Sequence, residues 1–407
     1  MSLELFLQEN TPQEAPQNVT VEPTSNPDVP ASVPSQITTE APSTPPYREA
    51  DGVSQSELKL LAYSPQSYFN KQARSANDQK DYFTVGSIVD TLINPDEDFD
   101  ARYFVVDDHI VPAGKMKEMA NFFLDTDADI DVPENLKSAQ QFVGYQPTWG
   151  EAAVKKWFDA EAREYVSIIR ENAGKQVITA SQQIQGEIIA NSLKNGEYTA
   201  KYCNPDFNPE VNMYYQVEIY FEVTVKNTVT GKFEAVKCKS CLDVVIEDPV
   251  KKTLMPVDIK TTGKDVREFR KSAKDLRYDI QGASYTLALE YLTKGMATTN
   301  KLVSWADYTI LPFVFLVETT DLQKVGNPLP YVMSQTDLIC GMHGANYSPK
   351  AVPACYGNPM SMNIQSVHGY FSLLEQLVWH RTTKIFNLTP SEYYSLTTHG
   401  ALPSNIW

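Results

Sequence analysis

Asp258 and Lys260 stand two residues apart in Pro256-Val-Asp258-Ile-Lys260-Thr-Thr262. On a strand, expected here over roughly 253–261, that spacing sends both side chains out of the same face. Asp243 comes fifteen residues before Asp258, in Cys241-Leu-Asp243, with a turn at Glu247-Asp-Pro249 between them. On its own strand, expected over roughly 234–247, the apolar set Val236, Cys238, Leu242, Val244 and Ile246 takes one face and leaves Asp243 on the other. Hydrolysis of a phosphodiester needs a divalent ion to neutralise developing charge and a water in line with the leaving oxygen. Two carboxylates are the hard ligands Mg²⁺ prefers, with water and phosphate oxygens filling its shell. A lysine beside them holds the nucleophilic water and stabilises transition-state charge. Asp243, Asp258 and Lys260 are a minimal kit for that reaction, although the same spacing also suits two turn-proximal carboxylates and a surface lysine.

These residues need a sheet and helices to hold them. Val217, Ile219, Phe221, Val223 and Val225 alternate with polar residues, which predicts a half-buried strand over 213–225 closed by a turn at Thr230-Gly231. Glu218 shares a face there with Gln216 and Glu222 and is a candidate further acidic ligand, solvent exposure being the plainer reading. Helices are expected at about 264–277 and 279–293, a strand at 308–317, and a helix near 364–386 carrying Leu373, Leu374, Leu377 and Trp379. Ahead of the sheet, Ser54-Gln-Ser-Glu57 is a capping box and Ser64-Pro65 a second helix start. A third helix covers about 80–93 and a short strand 102–107. From 115 to 195 the pattern is helical, the last helix opened by Thr179-Ala-Ser-Gln182 with Ile184, Ile188 and Leu193 as its apolar stripe. The expected class is α/β (α+β): a central mixed sheet flanked by helices, with a helical N-terminal elaboration.

The charge is unevenly spread. Residues 1–51 hold eight acidic residues against Arg48 alone, and so carry −7 of the net −16. With nine of the 26 prolines there, that segment is expected to be a disordered tail. The rest remains acidic, which weakens but does not exclude a nucleic-acid partner, since metal ions and a local basic rim can handle phosphates. No apolar run is long enough to span a membrane, and MSLELFLQEN lacks the basic and apolar regions of a secretory signal, so a cytoplasmic location is expected. Five cysteines in such a chain point to reduced thiols. Cys238 and Cys241, at i and i+3 on a strand, point to opposite faces and do not suit a metal cluster.

Beyond the strand lies Gln281-Gly-Ala-Ser-Tyr285, and with it the pattern becomes specific. An Asp, then Asp-x-Lys-Thr-Thr, then Gln-x-x-x-Tyr resembles the RecB-like and RecE-like (exodeoxyribonuclease VIII-type) branch of the PD-(D/E)XK nuclease superfamily. Residues 54–68 (SQSELKLLAYSPQSY), 86–93 (GSIVDTLI) and 174–179 (GKQVIT) are similar to earlier segments of that family, in the family's order. The resemblance covers about 52–320, a helical part over 52–200 and catalytic sheet and helices over 210–320, leaving 321–407 as a C-terminal extension packed on it.

That resemblance implies a restriction-endonuclease-like core and a Mg²⁺- or Mn²⁺-dependent deoxyribonuclease. Asp243, Asp258 and the carbonyl of Ile259 would bind metal, Lys260 would orient the water, and Gln281 and Tyr285 would lie near the DNA or the active site, helix packing being the equal alternative. Where the family's helix offers His, this chain has Asp90, which can also bind Mg²⁺ and is the departure that bears most on activity. Duplex DNA ends are the implied substrate and an exonuclease the implied activity, in phage or prophage recombination or replication. A single-strand annealing protein is the implied partner, and the chain is expected to be a homo-oligomer. Arg267, Arg270, Lys271, Lys274 and Arg277, on the helix before Gln281, are dense enough to clamp phosphates, a solvated helix face being the alternative. The rival class is a catalytically inactive nuclease fold that binds nucleic acid or belongs to a virion, as the acidic charge and Asp90 suggest.

Overall fold

The structure is a computed structural model that describes residues 47–70, 81–146, 148–346 and 366–386. The expected disordered tail over 1–51 lies outside these, save for a turn from residue 47. The described residues from Gly52 onward belong to one compact unit.

α1 (Gln55–Tyr63) begins at Ser54, where the side chains of Ser54 and Glu57 complete the capping box. Val53, just before it, donates its N–H to the Lys237 carbonyl and accepts from the Lys239 N–H, which pins the helix start to the sheet. α2 (Pro65–Phe69), α3 (Asp81–Ile93) and α4 (Phe99–Arg102) follow, then β1 (Tyr103–Val106). α5 (Gly114–Thr126), α6 (Pro133–Val143), α7 (Glu151–Glu161) and α8 (Arg163–Glu171) close around their own core of Met119, Phe123, Leu136, Phe158 and Val166. β2 (Gln176–Thr179) pairs in parallel with β1 and leads into α9 (Ala180–Asn195) and α10 (Ala200–Cys203).

The stripe expected on α9 is displaced. Ile184 and Ile188 are exposed, and the buried face is Gly186, Ile189, Ala190 and Leu193. That face starts on a residue with no side chain, so apolar periodicity passes over it. A Cβ on Gly186 would come within 2.2 Å of Ile88 Cγ2, and its absence is what lets α9 cross α3 so closely.

The seven-stranded sheet holds β3 (Asn212–Lys226), β4 (Phe233–Asp248), β5 (Thr253–Thr262), β6 (Ala297–Thr299), β7 (Thr309–Ile310), β8 (Val314–Thr319) and β9 (Leu329–Val332). Its order is β6-β3-β4-β5-β8-β9, with β7 also on β5; β5 pairs in parallel with β7 and β8, and the other pairs are antiparallel. The mixed α/β class expected from the sequence is the one observed. The strand expected over 308–317 is two strands, with Pro312, which has no N–H to give a ladder, in the gap.

The expected helix over 264–277 is likewise broken into a 3₁₀ turn, Val266–Glu268, and α11 (Phe269–Asp275). Arg277 then takes a left-handed φ of 52° and starts α12 (Tyr278–Thr293). α13 (Gln335–His343) packs on α12, and α14 (Tyr370–Thr383) packs on α1.

One face of the sheet buries Val244, Ile246, Val257, Ile259, Val314 and Leu316 against Val85, Val89 and Ile93 of α3 and Ile189 and Leu193 of α9. On the other face Phe313 and Phe315 meet Tyr285 and Tyr278 of α12. Cys203, Cys238 and Cys241 are free thiols. Cys340 of α13 is disulfide-bonded, contrary to the expectation of reduced thiols throughout. An odd count argues against a full disulfide framework but leaves room for a single bridge.

Candidate active site

The β4–β5 ladder ends at the pair Val244–Val257, and the next residues along it are Asp243 and Asp258. There the strands part, and the Asp243 carboxylate replaces the missing backbone acceptor: Ile259 donates its N–H to Asp243 Oδ2 at 2.9 Å. At the same level the β3–β4 ladder skips the Gln216–Asp243 pair, and Gln216 has a left-handed φ of 46°. On one side of this break Ser240 meets Ser284 of α12 at 3.2 Å, whereas Val244 and Ile246 on the other side pack against α3 and α9. The break therefore gives both helical layers access to the same point of the sheet.

Asp258 is 1% exposed. Its Oδ1 accepts from Gln281 Nε2 at 2.7 Å, and its Oδ2 is ion-paired with the Lys260 ammonium. Lys260 also donates to the Ile259 carbonyl at 3.4 Å and lies 5.3 Å from the centre of the Tyr278 ring. Gln281 reaches Tyr285 Oη at 3.4 Å from the same face of α12, so the pair is a buried brace behind Asp258.

Asp90 comes from the opposite layer. One turn earlier on α3 is Gly86, where a Cβ would stand 3.3 Å from Thr261 Oγ1, so the helix lies close against β5. Asp90 Oδ1 is buried without a hydrogen-bond partner. Burial raises the Asp90 carboxyl to about 7; the Lys260 ammonium opposes the shift and the Asp258 carboxylate adds to it. Asp243 is raised well above the ordinary carboxylate range by burial, then by Asp258 and Asp90. Burial works against the Lys260 ammonium, but Asp258 and Asp243 outweigh it and hold its pKa above the usual lysine value. Asp90, Asp243 and Asp258 thus share one ammonium in a desolvated place, where burial favours the protonated form of Asp90 and of Asp243.

Among the described residues no group of three or more His, Cys, Asp or Glu is gathered as a ready-made metal cage. The donor types present nonetheless suit a hard divalent cation. Asp243 and Asp258 face each other across parting strands, the Ile259 carbonyl lies beside them, and Asp90 brings an unpartnered buried oxygen.

Glu218 is not brought into this cluster. It accepts from Tyr220 Oη at 2.7 Å and stands opposite Cys241, two residue pairs along from Asp243. Arg270, Lys271 and Lys274 are exposed on α11 or its flank, as a phosphate-facing or a solvated surface requires. Arg267 is exposed but already bidentate on Asp265, at 2.9 and 2.6 Å. Arg277 is already engaged: its guanidinium grips Asp279 at 3.0 Å and the His368 carbonyl, fixing the start of α12. A cavity of about 590 Å³ lined by Asp265, Arg267, Thr319 and Lys324 lies beyond the end of β5, with its cations paired to Asp265 and Asp321, and none of the three acidic residues borders it.

No protein-family model matches this chain, and no curated protein sequence matches it. What the site can do is set by its own residues. Lys59 of α1 is a member that the sequence reading did not single out, although it lies inside the segment 54–68; its ammonium sits 4.9 Å from the centre of the same Tyr278 ring. A lone lysine one turn into an amphipathic helix carries no signal of burial. Among the described residues no helix is long and apolar enough to cross a membrane.

Proposed function

We propose that this chain is a metal-dependent DNA nuclease of the PD-(D/E)XK type, with Asp243, Asp258 and Lys260 at its centre. The observation that carries the reading is the parting of β4 and β5 at Asp243 and Asp258, with Lys260 on the buried carboxylate and Gln281 bracing it from behind. Asp243, Asp258 and the Ile259 carbonyl would hold Mg²⁺ or Mn²⁺, with Asp90 supporting them. The ion would supply charge neutralisation at the phosphate and a more acidic water. Gln281 keeps one Asp258 oxygen engaged, so the other is the one that Lys260 and a ligand share. Lys260, held charged by its carboxylate neighbours, positions the attacking water and takes up charge developing on the phosphoryl oxygens. Exposed Arg270, Lys271 and Lys274 supply a basic rim on an otherwise acidic chain. Duplex DNA ends are the proposed substrate, an annealing protein and further copies of the chain the proposed partners, and a host cytoplasm the proposed setting.

Two observations favour a second reading, a nuclease fold without activity that binds nucleic acid. Lys260 already occupies the Asp258 oxygen that a metal would use, and Asp90 stands where the resembled family has His. Incubating linear and circular duplex DNA with Mg²⁺ or Mn²⁺, using wild type and Lys260→Ala, separates the two. Cleavage that needs metal and vanishes in Lys260→Ala supports the nuclease, and loss of linear DNA alone marks an exonuclease. No metal-dependent cleavage, or cleavage unchanged in the variant, leaves the binding protein.

A further inference from the structure

Lys59 is a cation without an anion. Among the described residues it makes no ion pair or hydrogen bond, and its one direct partner is the face of Tyr278. The acids that could balance it are already engaged. Asp258 holds Lys260 and Gln281, and Asp279 holds Arg277 through two bonds of 3.0 Å. Burial lowers the Lys59 ammonium to about 7; repulsion from Lys260 and Arg277 adds to the shift, and attraction to Asp258 and Asp279 only partly offsets it. A desolvated amine in that state gains most from an anion arriving from outside.

Its position is built rather than incidental. The two backbone hydrogen bonds around Val53 fix the start of α1 to β4, the capping box sets its direction, and α1 packs on α12 beside Tyr278. Lys59 and Lys260 consequently approach one aromatic ring, 4.9 and 5.3 Å from its centre. Tyr278 offers both cations its negative π-system. Two ammoniums gathered at one ring can serve neighbouring phosphates of one strand, Lys260 at the bond that is cut and Lys59 at the phosphate beside it.

We infer that Lys59 is a substrate-binding residue that takes the phosphate adjoining the scissile one, an inference that rests on the nuclease reading of the same site. The full chain is compared as wild type, Lys59→Met, Lys59→Arg and Lys260→Ala. Steady-state cleavage of a linear duplex with Mg²⁺ is one readout, and the salt dependence of binding to the same duplex without added metal is the other. Lys59→Met is expected to raise KM about tenfold, the worth of one charge-assisted hydrogen bond, with a smaller fall in kcat. It should also flatten the slope of log affinity against log salt by about 0.9, the share of one neutralised phosphate. Lys59→Arg, which keeps the charge, should restore most of both, and the melting temperature of Lys59→Met should not drop. A wild-type KM and salt slope in Lys59→Met overturns the inference, as does a Lys59→Arg variant no better than Lys59→Met. Failure of the nuclease reading shows elsewhere, as absent cleavage by wild type or cleavage intact in Lys260→Ala, while the binding slope still reports on Lys59.

Discussion

The backbone N–H of Ile259 is satisfied by a side chain, Asp243 Oδ2 at 2.9 Å, and not by the strand beside it. This bond closes the β4–β5 ladder where its backbone pairing stops, so Asp243 both ends the sheet pairing and lines the site. The two roles separate by substitution. Asp243→Asn keeps an oxygen for the Ile259 N–H while removing a charge that Asp258 and Asp90 oppose, so it should melt no lower than wild type. Asp243→Ala leaves the N–H unpaired and should be less stable than Asp243→Asn by about 1–2 kcal/mol. Both should lose cleavage by about two orders of magnitude or more if the carboxylate is a metal ligand. Thermal melts and a nuclease assay on the pair check this; equal melting of the two variants would show that the bond contributes nothing.

The brace behind Asp258 makes a second prediction. Gln281→Met removes the donor to a buried carboxylate oxygen and should cost about 1.5–3 kcal/mol, the range for a hydrogen bond to a charged group. Gln281→Glu sets a carboxylate against Asp258, so its deficit should be large at pH 8 and shrink at pH 5, where the pair can share a proton. Urea unfolding at both pH values reads the effect. A Gln281→Met variant as stable as wild type would reduce the brace to a passive neighbour.

Asp90 predicts a pH dependence with a definite sign. Its carboxyl is raised from 3.8 to about 7, so between those values the folded state holds the proton that the unfolded chain has released. Stability from this group therefore falls as pH rises from about 4 to about 7, and stays lost above. Asp90→Asn removes the penalty and should melt higher than wild type at pH 8 in the absence of divalent ions, by about 1–3 kcal/mol, with no gain at pH 4. The stabilisation that Mg²⁺ or Mn²⁺ gives wild type should shrink in the same variant, because a binder of the folded state stabilises only in proportion to its affinity. A melt of Asp90→Asn at or below wild type at pH 8 would mean that Asp90 is neutralised by something other than a proton or a metal.

Period-two spacing was enough to put Asp258 and Lys260 on one face, and strand order was enough to bring Asp243 to them. The bond between Gln281 and Asp258 was not legible in the sequence: the family pattern implies only a place near the DNA or active site, and nothing in helix periodicity says which strand a glutamine will meet. Three features lay beyond local reasoning because tertiary packing decides them. The buried face of α9 is organised around Gly186, which apolar counting ignores. Arg277 left the basic surface because Asp279 and the His368 carbonyl claim it. Lys59 is half-buried beside Tyr278 because α1 is tied to β4 through Val53, a pairing with no signature in the residues of the helix itself.

The basic residues before α12 can be ranked by what already holds them. Arg270, Lys271 and Lys274 are exposed, and their charge is open to a phosphate. Each change to Ala should weaken duplex binding about equally on any sequence and flatten the salt slope by about 0.9 for each phosphate no longer neutralised. Arg267 is neutralised in place by Asp265, so Arg267→Ala should weaken binding less than any of those three. Arg277→Ala should act through the fold. It strips Asp279, a buried carboxylate, of its partner, and breaking such a pair costs about 3–5 kcal/mol. Binding titrations at several salt concentrations beside thermal melts separate the classes. If Arg270, Lys271 and Lys274 variants bind with wild-type affinity and slope, α11 is a solvated face and the DNA lies elsewhere.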